Sequence, residues 1–442
     1  MDRKNSVENL KDQTGGFKEE DPGIILDWDD RDLSTELVDA GRKNPGIDKP
    51  LLVITLVILL IGVIMVLSAS YARGYYLSSD PLRLFTRRFI FAVSGVALML
   101  IISRLSVRTI SRWSMHLLLV SIALLVLVLI IGIKVNGARR WIGIGGEYSS
   151  LTFQPSEIAK LAMILAFAQI TCKLGKDRMK TFKYGVVPFA IITVIMIVLL
   201  RLEPHLSAII IVTALAAIMM FAGGTRLRWF IMALLILVAM ICGFIFFQLR
   251  LTAPDVEMRD VSMETVRNNL DLSALGYEGR RITAWLNPDA DPLRDGFQIR
   301  QSLNAVGSGG LLGLGLGQSR QKHLYLPEEH NDYIFAIVCE ELGFIGAMLI
   351  LLLFTLLIIR GYWLAMNAND KYSSLITIGI TSLLAIQVFL NVAVVVNLVP
   401  ATGISLPFFS YGGTALWIQL VQIGIILAVS REIPLTKEKE KS

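Results

Sequence analysis

The chain has 442 residues, of which 54% are hydrophobic and 18% are charged, and its formal net charge is +6. Its mean hydropathy is +0.62. Soluble domains are usually about 45–50% apolar and about a quarter charged, so this composition excludes an ordinary soluble globular protein. A basic balance in so apolar a chain is typical of positively charged cytoplasmic loops, and it predicts no nucleic-acid partner.

The first 49 residues form an acidic segment, with 13 Asp or Glu against 8 Lys or Arg. This composition predicts a disordered cytoplasmic tail over residues 1–49. Ile24, Leu26 and Trp28 stand among the acids, so a docking peptide for a cytoplasmic partner is the alternative. No apolar run in this segment could act as a signal peptide, and we expect the first spanning helix to direct insertion.

Ten apolar stretches follow, each long enough to cross a bilayer or nearly so. Residues 51–70 are a charge-free run of twenty, which spans about 30 Å as a helix. Backbone groups in lipid must be paired within the segment, which favours helices. We therefore predict an all-α polytopic membrane protein with about ten transmembrane helices over residues 50–431, followed by a charged cytoplasmic tail at 432–442. The predicted spans are 51–70, 88–103, 114–133, 157–172, 184–200, 206–222, 229–248, 331–359, 373–398 and 411–429.

Short basic loops predict how these helices are oriented. Residues 104–112, 173–183 and 226–228 are rich in Lys and Arg, and such loops stay in the cytoplasm. The short loop 71–87, which contains three arginines, disagrees but is outweighed. The predicted orientation is N-in/C-in, with residues 249–330 forming a large extracellular loop between spans 7 and 8.

Charged side chains at the predicted outer end of span 4 are candidates for ligand binding. Glu157 and Lys160 are three residues apart and share one helical face, and ionisable groups within spans usually serve a function. Arg140 lies just upstream, near the membrane surface, and a guanidinium donates two parallel hydrogen bonds to phosphate or pyrophosphate. A structural ion pair is the alternative for Glu157 and Lys160, and lipid headgroup contact is the alternative for the arginines of this segment. Arg201 to His205 separate spans 5 and 6 and predict a tight helical hairpin with a further charged cluster.

The second half of the long loop supplies three acids, Asp289, Asp291 and Asp295. An acid above a pocket that contains Lys160 and Arg140 can serve as a general base. An Asp before Pro also commonly begins a turn, so turn formation is the alternative. Spacing alone does not choose among the three acids.

Two other motifs have simpler interpretations. Residues 307–313 resemble a dinucleotide fingerprint, but the third glycine falls one residue late and no βαβ unit surrounds it, so we predict a flexible or re-entrant loop. Residues 328–332 resemble a metal cluster without ligand spacing, and we predict that they cap the next span. No metal site or disulfide framework is predicted from the cysteines, which lie in apolar stretches at Cys172, Cys242 and Cys339.

Six motifs, in order along residues 50–431, resemble one family, the SEDS proteins FtsW, RodA and SpoVE of bacterial cell-wall synthesis. The resemblance is closest to the FtsW/SpoVE branch. The motifs are Asn136–Ile142 (NGARRWI), Gln154–Lys160 (QPSEIAK), Asn287–Gln298 (NPDADPLRDGFQ), Gln301–Gly317 (QSLNAVGSGGLLGLGLG), Tyr325–Gly343 (YLPEEHNDYIFAIVCEELG) and Pro400–Thr414 (PATGISLPFFSYGGT).

This resemblance implies a peptidoglycan glycosyltransferase of the bacterial cytoplasmic membrane that polymerises lipid II. The catalytic Asp of the family corresponds to Asp291, and the resemblance implies that Arg140, Glu157, Lys160 and Gln298 bind substrate. It also implies an undecaprenyl-linked glycan donor, a class B penicillin-binding protein as partner, and other divisome or elongasome membrane proteins. A divalent cation, Mg or Mn, is a possible cofactor.

Two alternatives and one departure accompany this hypothesis. A lipid II flippase would also use intramembrane charges, such as Glu340 and Glu341, and a non-catalytic scaffold for the penicillin-binding protein would use none. Many family members have Gln-Pro-Asp before the sixth span, whereas this chain has Glu203, Pro204 and His205. The role of this hairpin is therefore open.

Overall fold

The computed structural model describes residues 46–78, 80–135, 138–144, 151–252, 276–290 and 295–433. Most of the acidic tail, almost all of the C-terminal tail and Asp291 lie outside these residues. The described residues form a helical bundle with a small antiparallel sheet. The helices are α1 (Lys49–Ser78), α2 (Arg83–Ile102), α3 (Val107–Ile131), α4 (Pro155–Met179), α5 (Phe182–Gly185), α6 (Val187–Leu202), α7 (Leu206–Ala222), α8 (Leu227–Thr252), α9 (Gly276–Leu286), α10 (Asp295–Ser308), α11 (Ile334–Met366), α12 (Lys371–Val395) and α13 (Gly413–Ser430), with a 3₁₀ turn at Pro288–Ala290.

The helices agree with the predicted spans. Within the described residues, nine helical segments are long and apolar enough to cross a membrane, and α7 is a tenth, shorter apolar helix. The prediction of about ten spans is confirmed. Helices α4, α12 and α13 are largely buried by their neighbours, whereas nearly every described side chain of α8 is exposed. The central helices therefore place charged residues away from lipid.

A three-stranded antiparallel sheet lies between α3 and α4, where the sequence predicted no strands. Its strands are β1 (Ile133–Val135), β2 (Ala138–Ile144) and β3 (Leu151–Phe153), in that order across the sheet. Two strands have only three residues, too few for an alternating pattern to be recognised. Because β3 ends two residues before Pro155, and proline suits the first position of a helix, the sheet sets Arg140 beside the start of α4.

The two ends of the bundle are held together by different groups of residues. At the end named here the tail end, the Asp48 carboxylate accepts a hydrogen bond from the Leu51 amide (2.9 Å) and pairs with the Arg360 guanidinium (Nη2 to Oδ2, 2.5 Å). The Asp48 amide donates to the Ser430 hydroxyl at 3.2 Å. One buried acid thus joins the start of α1 to α11 and to the end of α13.

Both ends of the described chain lie at this tail end. Close to the last described residue, Glu432 accepts a hydrogen bond from the Val107 amide at the start of α3, with a distance of 3.1 Å. Arg431 donates to the Ser103 carbonyl at the end of α2. The opposite end, named the site end, contains the sheet and the turn between α6 and α7. The N-in/C-in orientation across the membrane stays a prediction.

Replacing Asp48 should separate its two roles. Asp48→Asn keeps an acceptor for the Leu51 amide but removes the ion pair with Arg360, and Asp48→Ala removes both. We expect the thermal midpoint in detergent to fall in the order wild type, Asn, Ala. The free energy of unfolding of the last two should differ by about 1 kcal/mol, because that is the usual effect of a helix N-cap. Equal midpoints for the two variants would contradict the capping role.

A segment that follows α10 is attached to α11 by buried charges. This segment, residues 309–323, is named the strap. The Glu341 carboxylate accepts hydrogen bonds from the Ser68 hydroxyl (2.6 Å) and the Lys322 ammonium (3.0 Å). Glu340 accepts from the Ser319 hydroxyl and from the amides of Arg320 (3.0 Å) and Gln321 (3.3 Å). Both glutamates are almost fully buried, so their charges are satisfied by the strap and α1.

The backbone at Gly343 allows this close contact. Its φ is +67°, a conformation that favours glycine, and a Cβ there would lie 2.3 Å from the Gly313 nitrogen. The amides of Phe344 and Ile345 donate to the carbonyls of Gly310 (2.9 Å) and Leu311 (3.1 Å). The strap is therefore folded onto α11 by backbone hydrogen bonds, and residues 307–313, predicted to form a flexible or re-entrant loop, comprise the end of α10 and the start of the strap.

Candidate active site

A buried ion pair stands at the site end of α4. The Lys160 ammonium lies 2.8 Å from Glu157 Oε1, and the two residues are 3% and 6% exposed. The prediction that they share one helical face is confirmed. The second oxygen, Glu157 Oε2, is also buried and has no hydrogen-bond partner among the described residues. The pair therefore retains a buried acceptor that the described residues do not use.

Arg140 reaches the turn between α6 and α7 from strand β2. Its Nε donates to the Glu203 carbonyl at 3.4 Å, and its Nη2 donates to the Pro204 carbonyl. The predicted hairpin is confirmed, because α6 ends at Leu202 and α7 begins at Leu206. Strand β2 also contacts α4, so Arg140 and the Glu157–Lys160 pair lie at the same end of the bundle.

The hairpin itself contributes two buried titratable groups. Burial raises the pKa of Glu203 to about 8, an effect that Arg140 reduces. Burial, followed by the positive charges of Arg140 and Lys160, lowers the pKa of His205 well below its usual value. At neutral pH both groups are thus uncharged, so neither of them changes the net charge around Arg140 and Lys160.

Asp332 is a site residue that the sequence analysis assigned to a helix cap. Tyr333 occupies the N-cap of α11 and no side chain caps it by a hydrogen bond, so the capping prediction for residues 328–332 is wrong in that sense. Burial and Glu328 raise the pKa of Asp332 to about 6, while Arg281, Arg140 and His330 oppose the rise. The carboxylate therefore belongs to the charged environment of Arg140.

The backbone around Asp332 is fixed by three donors. The Tyr411 amide donates to the His330 carbonyl, the Ser410 hydroxyl to the Asn331 carbonyl, and the Asn391 side chain to the Asp332 carbonyl, each at 2.8 Å. These donors come from α12 and from the segment before α13. Three consecutive carbonyls are thereby held, which gives the Asp332 carboxylate a defined position.

The second half of the long loop packs against the site end of the bundle. The Trp285 indole donates to the Asn397 carbonyl (3.1 Å), and the Ser302 hydroxyl donates to the Val395 carbonyl (2.8 Å). Gln298, predicted to bind substrate, donates to the Pro327 carbonyl at 3.1 Å. Its predicted role is not tested by this contact.

The three loop acids differ in their surroundings. Asp289 is exposed and pairs with Arg300 at 3.1 Å, and Asp295 begins α10, where an acid suits the helix N-terminus. Asp291, the predicted catalytic residue, lies outside the described residues, and its role stays a prediction. The described elements on either side of it, the 3₁₀ turn and α10, contact each other.

Metal sites in proteins gather several oxygen, nitrogen or sulfur donors around one ion. No three His, Cys, Asp or Glu side chains in the described ranges are grouped so that they could hold a metal ion. The donor set near Arg140 mixes acids with an arginine and a lysine, and the two cations favour an anionic ligand over a cation. A divalent cation therefore stays a prediction from the resemblance, with no ligands assigned.

These groups together form a charged cluster at the site end. Arg140 and Lys160 supply positive charge, Glu157 holds Lys160 in place, and Glu203 and His205 add no charge near pH 7. Preorganised cations at the end of an apolar bundle are suited to stabilising phosphate groups attached to a lipid. The fold and site thus define a class of protein, a polytopic membrane protein with a cluster of charged side chains at one end of its helical bundle.

The chain belongs to the FtsW/RodA/SpoVE family of cell cycle proteins, which it matches over residues 49–434. It is accordingly a multi-pass protein of the bacterial cytoplasmic membrane. Stage V sporulation protein E of Bacillus subtilis is 42% identical over 391 residues, which cover 88% of this chain and 98% of that protein. The probable peptidoglycan glycosyltransferase FtsW of Trichlorobacter lovleyi is 37% identical over 399 residues, which cover 89% and 96%.

Solved structures share the fold. A chain from a peptidoglycan synthase complex that coordinates polymerization and crosslinking matches with a TM-score of 0.68 and 27% identity, covering 87% of this chain and 98% of that chain. The rod shape determining protein RodA of Thermus thermophilus matches with a TM-score of 0.59 and 25% identity, covering 88% and 98%. The predicted family and helical membrane fold are confirmed.

Proposed function

We propose that this protein is a peptidoglycan glycosyltransferase that polymerises lipid II into glycan strands at the outer face of the cytoplasmic membrane. The observation that carries the proposal is the grouping of the half-buried Arg140 with the buried Glu157–Lys160 pair at one end of the bundle. A relative with 37% identity bears the name of a probable peptidoglycan glycosyltransferase. Cations held in fixed positions stabilise the negative charge of a lipid pyrophosphate as it leaves.

In the proposed reaction, Asp291 accepts the proton of the sugar 4-hydroxyl of a lipid II acceptor. The freed oxygen attacks the anomeric carbon of the lipid-linked glycan donor with inversion. The bond from that carbon to the pyrophosphate oxygen breaks, and undecaprenyl pyrophosphate leaves with the bonding electrons. Arg140 and Lys160 offset the negative charge that develops on this leaving group, as preorganised cations do at phosphoryl groups.

Glu157 and Gln298 have supporting roles in this proposal. Glu157 orients the Lys160 ammonium through their 2.8 Å contact. Gln298 lies on α10 and donates a hydrogen bond to the Pro327 carbonyl, just before the charged segment 328–332. It therefore positions the loop above the site. The buried glutamates of α11 take no part, because the strap and Ser68 satisfy them.

The proposal extends to a partner. One similar structure is a chain of a peptidoglycan synthase complex that joins polymerization to crosslinking. We therefore propose a class B penicillin-binding protein as the crosslinking partner of this chain, within a larger assembly of divisome or elongasome membrane proteins.

The test is lipid II polymerisation by purified protein, with and without the co-expressed penicillin-binding protein. Wild type should produce glycan ladders and Asp291→Asn should produce none, because an amide accepts no proton from the acceptor hydroxyl. Ladders from Asp291→Asn would remove that residue from the mechanism. No ladder from either protein, even with the partner, would favour a flippase or a scaffold.

A further inference from the structure

Glu203 is a buried carboxyl group without hydrogen bonds. It is 0% exposed, and neither of its carboxyl oxygens has a hydrogen-bond partner within the part of the chain that the structure describes. Leaving a buried charge unpaired costs far more free energy than leaving it protonated. The geometry alone thus favours the neutral acid, and the raised pKa of about 8 agrees with it.

The neighbours of Glu203 determine what its charge would do. Arg140 donates to the Glu203 backbone carbonyl (3.4 Å) and is the charged group that most affects its carboxyl. A carboxylate at this position would compete with an anionic ligand for the same guanidinium. The titratable and charged groups on the elements that meet here are Arg201 on α6, Arg140 on β2, Glu157 and Lys160 on α4, His205 at the start of α7 and Asp332 before α11.

Among these groups, Glu203 is the one whose charge changes just above neutral pH. Asp332 has a pKa of about 6 and is already ionised at pH 7. His205 is held neutral by burial and by the two nearby cations, since its pKa is lowered well below 6.5. Glu203 ionises near pH 8, so the net charge around Arg140 falls by one as the pH rises from 7 to 9.

We propose that Glu203 is a positioning residue that acts through Arg140, and that its proton keeps Arg140 available to the diphosphate of a lipid-linked substrate. This inference rests on the proposed function, because it concerns the same site. When Glu203 loses its proton, the carboxylate attracts Arg140 and repels the diphosphate. Binding of the diphosphate and binding of the proton are then linked, and each strengthens the other.

The test is the binding of a farnesyl-diphospho-N-acetylglucosamine to purified full-length protein between pH 7 and pH 9. This diphosphate diester has no peptide and no group that titrates in that range, so a pH effect reports on the protein. We expect the dissociation constant of wild type to rise about tenfold between pH 7 and pH 9, because a proton that favours binding and has a pKa near 8 is mostly present at the lower pH and mostly absent at the higher. Glu203→Gln, which is neutral at every pH, should bind as wild type does at pH 7 and show no rise.

Two controls separate this proposal from general pH effects. Asp177→Asn changes an acid whose side chain is 97% exposed at the far end of α4. Asp332→Asn changes the other acid whose pKa is affected by the charge of Arg140. Both should retain the rise above pH 7. The infrared band of a protonated carboxyl group, present at pH 7 in wild type and weakened at pH 9, gives a second measurement that needs no substitution at Glu203.

Each outcome decides one of the two proposals. A constant affinity in wild type, an unchanged rise in Glu203→Gln, or a carboxyl band that does not depend on pH would overturn the role of Glu203. If that happened while wild type still polymerised lipid II, the proposed function would stand. A rise that Glu203→Gln abolishes, in a protein that makes no glycan, would support the diphosphate site and overturn the polymerase.

Discussion

Replacing Lys160 with methionine should lower the rate of lipid II polymerisation by at least about 100-fold, the usual effect of losing one preorganised group that stabilises developing charge. The same change leaves the carboxylate of Glu157 buried without its cation. Removing one partner of a buried ion pair destabilises a protein by about 3–5 kcal/mol. A lower thermal midpoint should therefore accompany the lost activity.

The double variant Glu157→Gln/Lys160→Met distinguishes a functional pair from a structural one. It removes both charges, so we expect its thermal midpoint to return close to that of wild type, since a buried pair replaced by neutral groups is often no less stable. Its polymerisation rate should stay as low as that of Lys160→Met. A double variant that polymerises at the wild-type rate would show that the pair is only structural.

The same helix offers a matched control. Asp177 and Lys180 at the tail end have the same spacing of three residues and lie 3.5 Å apart, but their side chains are 97% and 42% exposed. An exposed pair contributes little because water screens it. Lys180→Met should change neither the midpoint nor the rate, and a loss of activity in this control would mean that the Lys160 result is not specific to the site.

Replacing Lys322 with methionine should be among the most destabilising single changes at the strap. Its ammonium lies 3.0 Å from Glu341 Oε1 and 3.2 Å from the Ser68 hydroxyl, and both charged side chains are at most 5% exposed. Loss of the cation leaves Glu341 charged inside the bundle, at a cost of about 3–5 kcal/mol. We expect a lower thermal midpoint and faster proteolysis within residues 309–323.

Arg320 provides the control for this experiment. It precedes Lys322 by two residues and its amide donates to Glu340, but its side chain is exposed. Arg320→Met removes one positive charge from the same segment and keeps the backbone hydrogen bonds, so the midpoint should not change. The double variant Glu341→Gln/Lys322→Met should recover most of the lost stability. Equal midpoints for Lys322→Met and Arg320→Met would contradict the role of the buried pair.

The spans could be predicted because hydropathy is a local property of the sequence. The Glu157–Lys160 pair was also predictable, since a spacing of three residues on a helix fixes the relative position of two side chains. The sheet could not be predicted, because strands of three residues have no distinct period. Its residues are ordered by contacts with α3, α4 and α13.

The site was only partly predictable, and the reason is distance along the chain. Glu203 and His205 were noticed as a departure from the family pattern, but their burial depends on β2 and α4. Asp332 was assigned to a cap because its partners, Arg281 and Arg140, lie far away in sequence. The signal available for Asp332 was its place inside a long family motif, which a capping role did not explain.

The hydrogen bonds that hold the segment before α11 affect when this part of the protein can fold during synthesis. The carbonyls of His330 and Asn331 are bound by Tyr411 and Ser410, which come late in the chain. During synthesis, Arg140 and Lys160 enter the membrane long before these donors leave the ribosome. The segment before α11 therefore cannot be fully held in a nascent chain until residues 410 and 411 have been made.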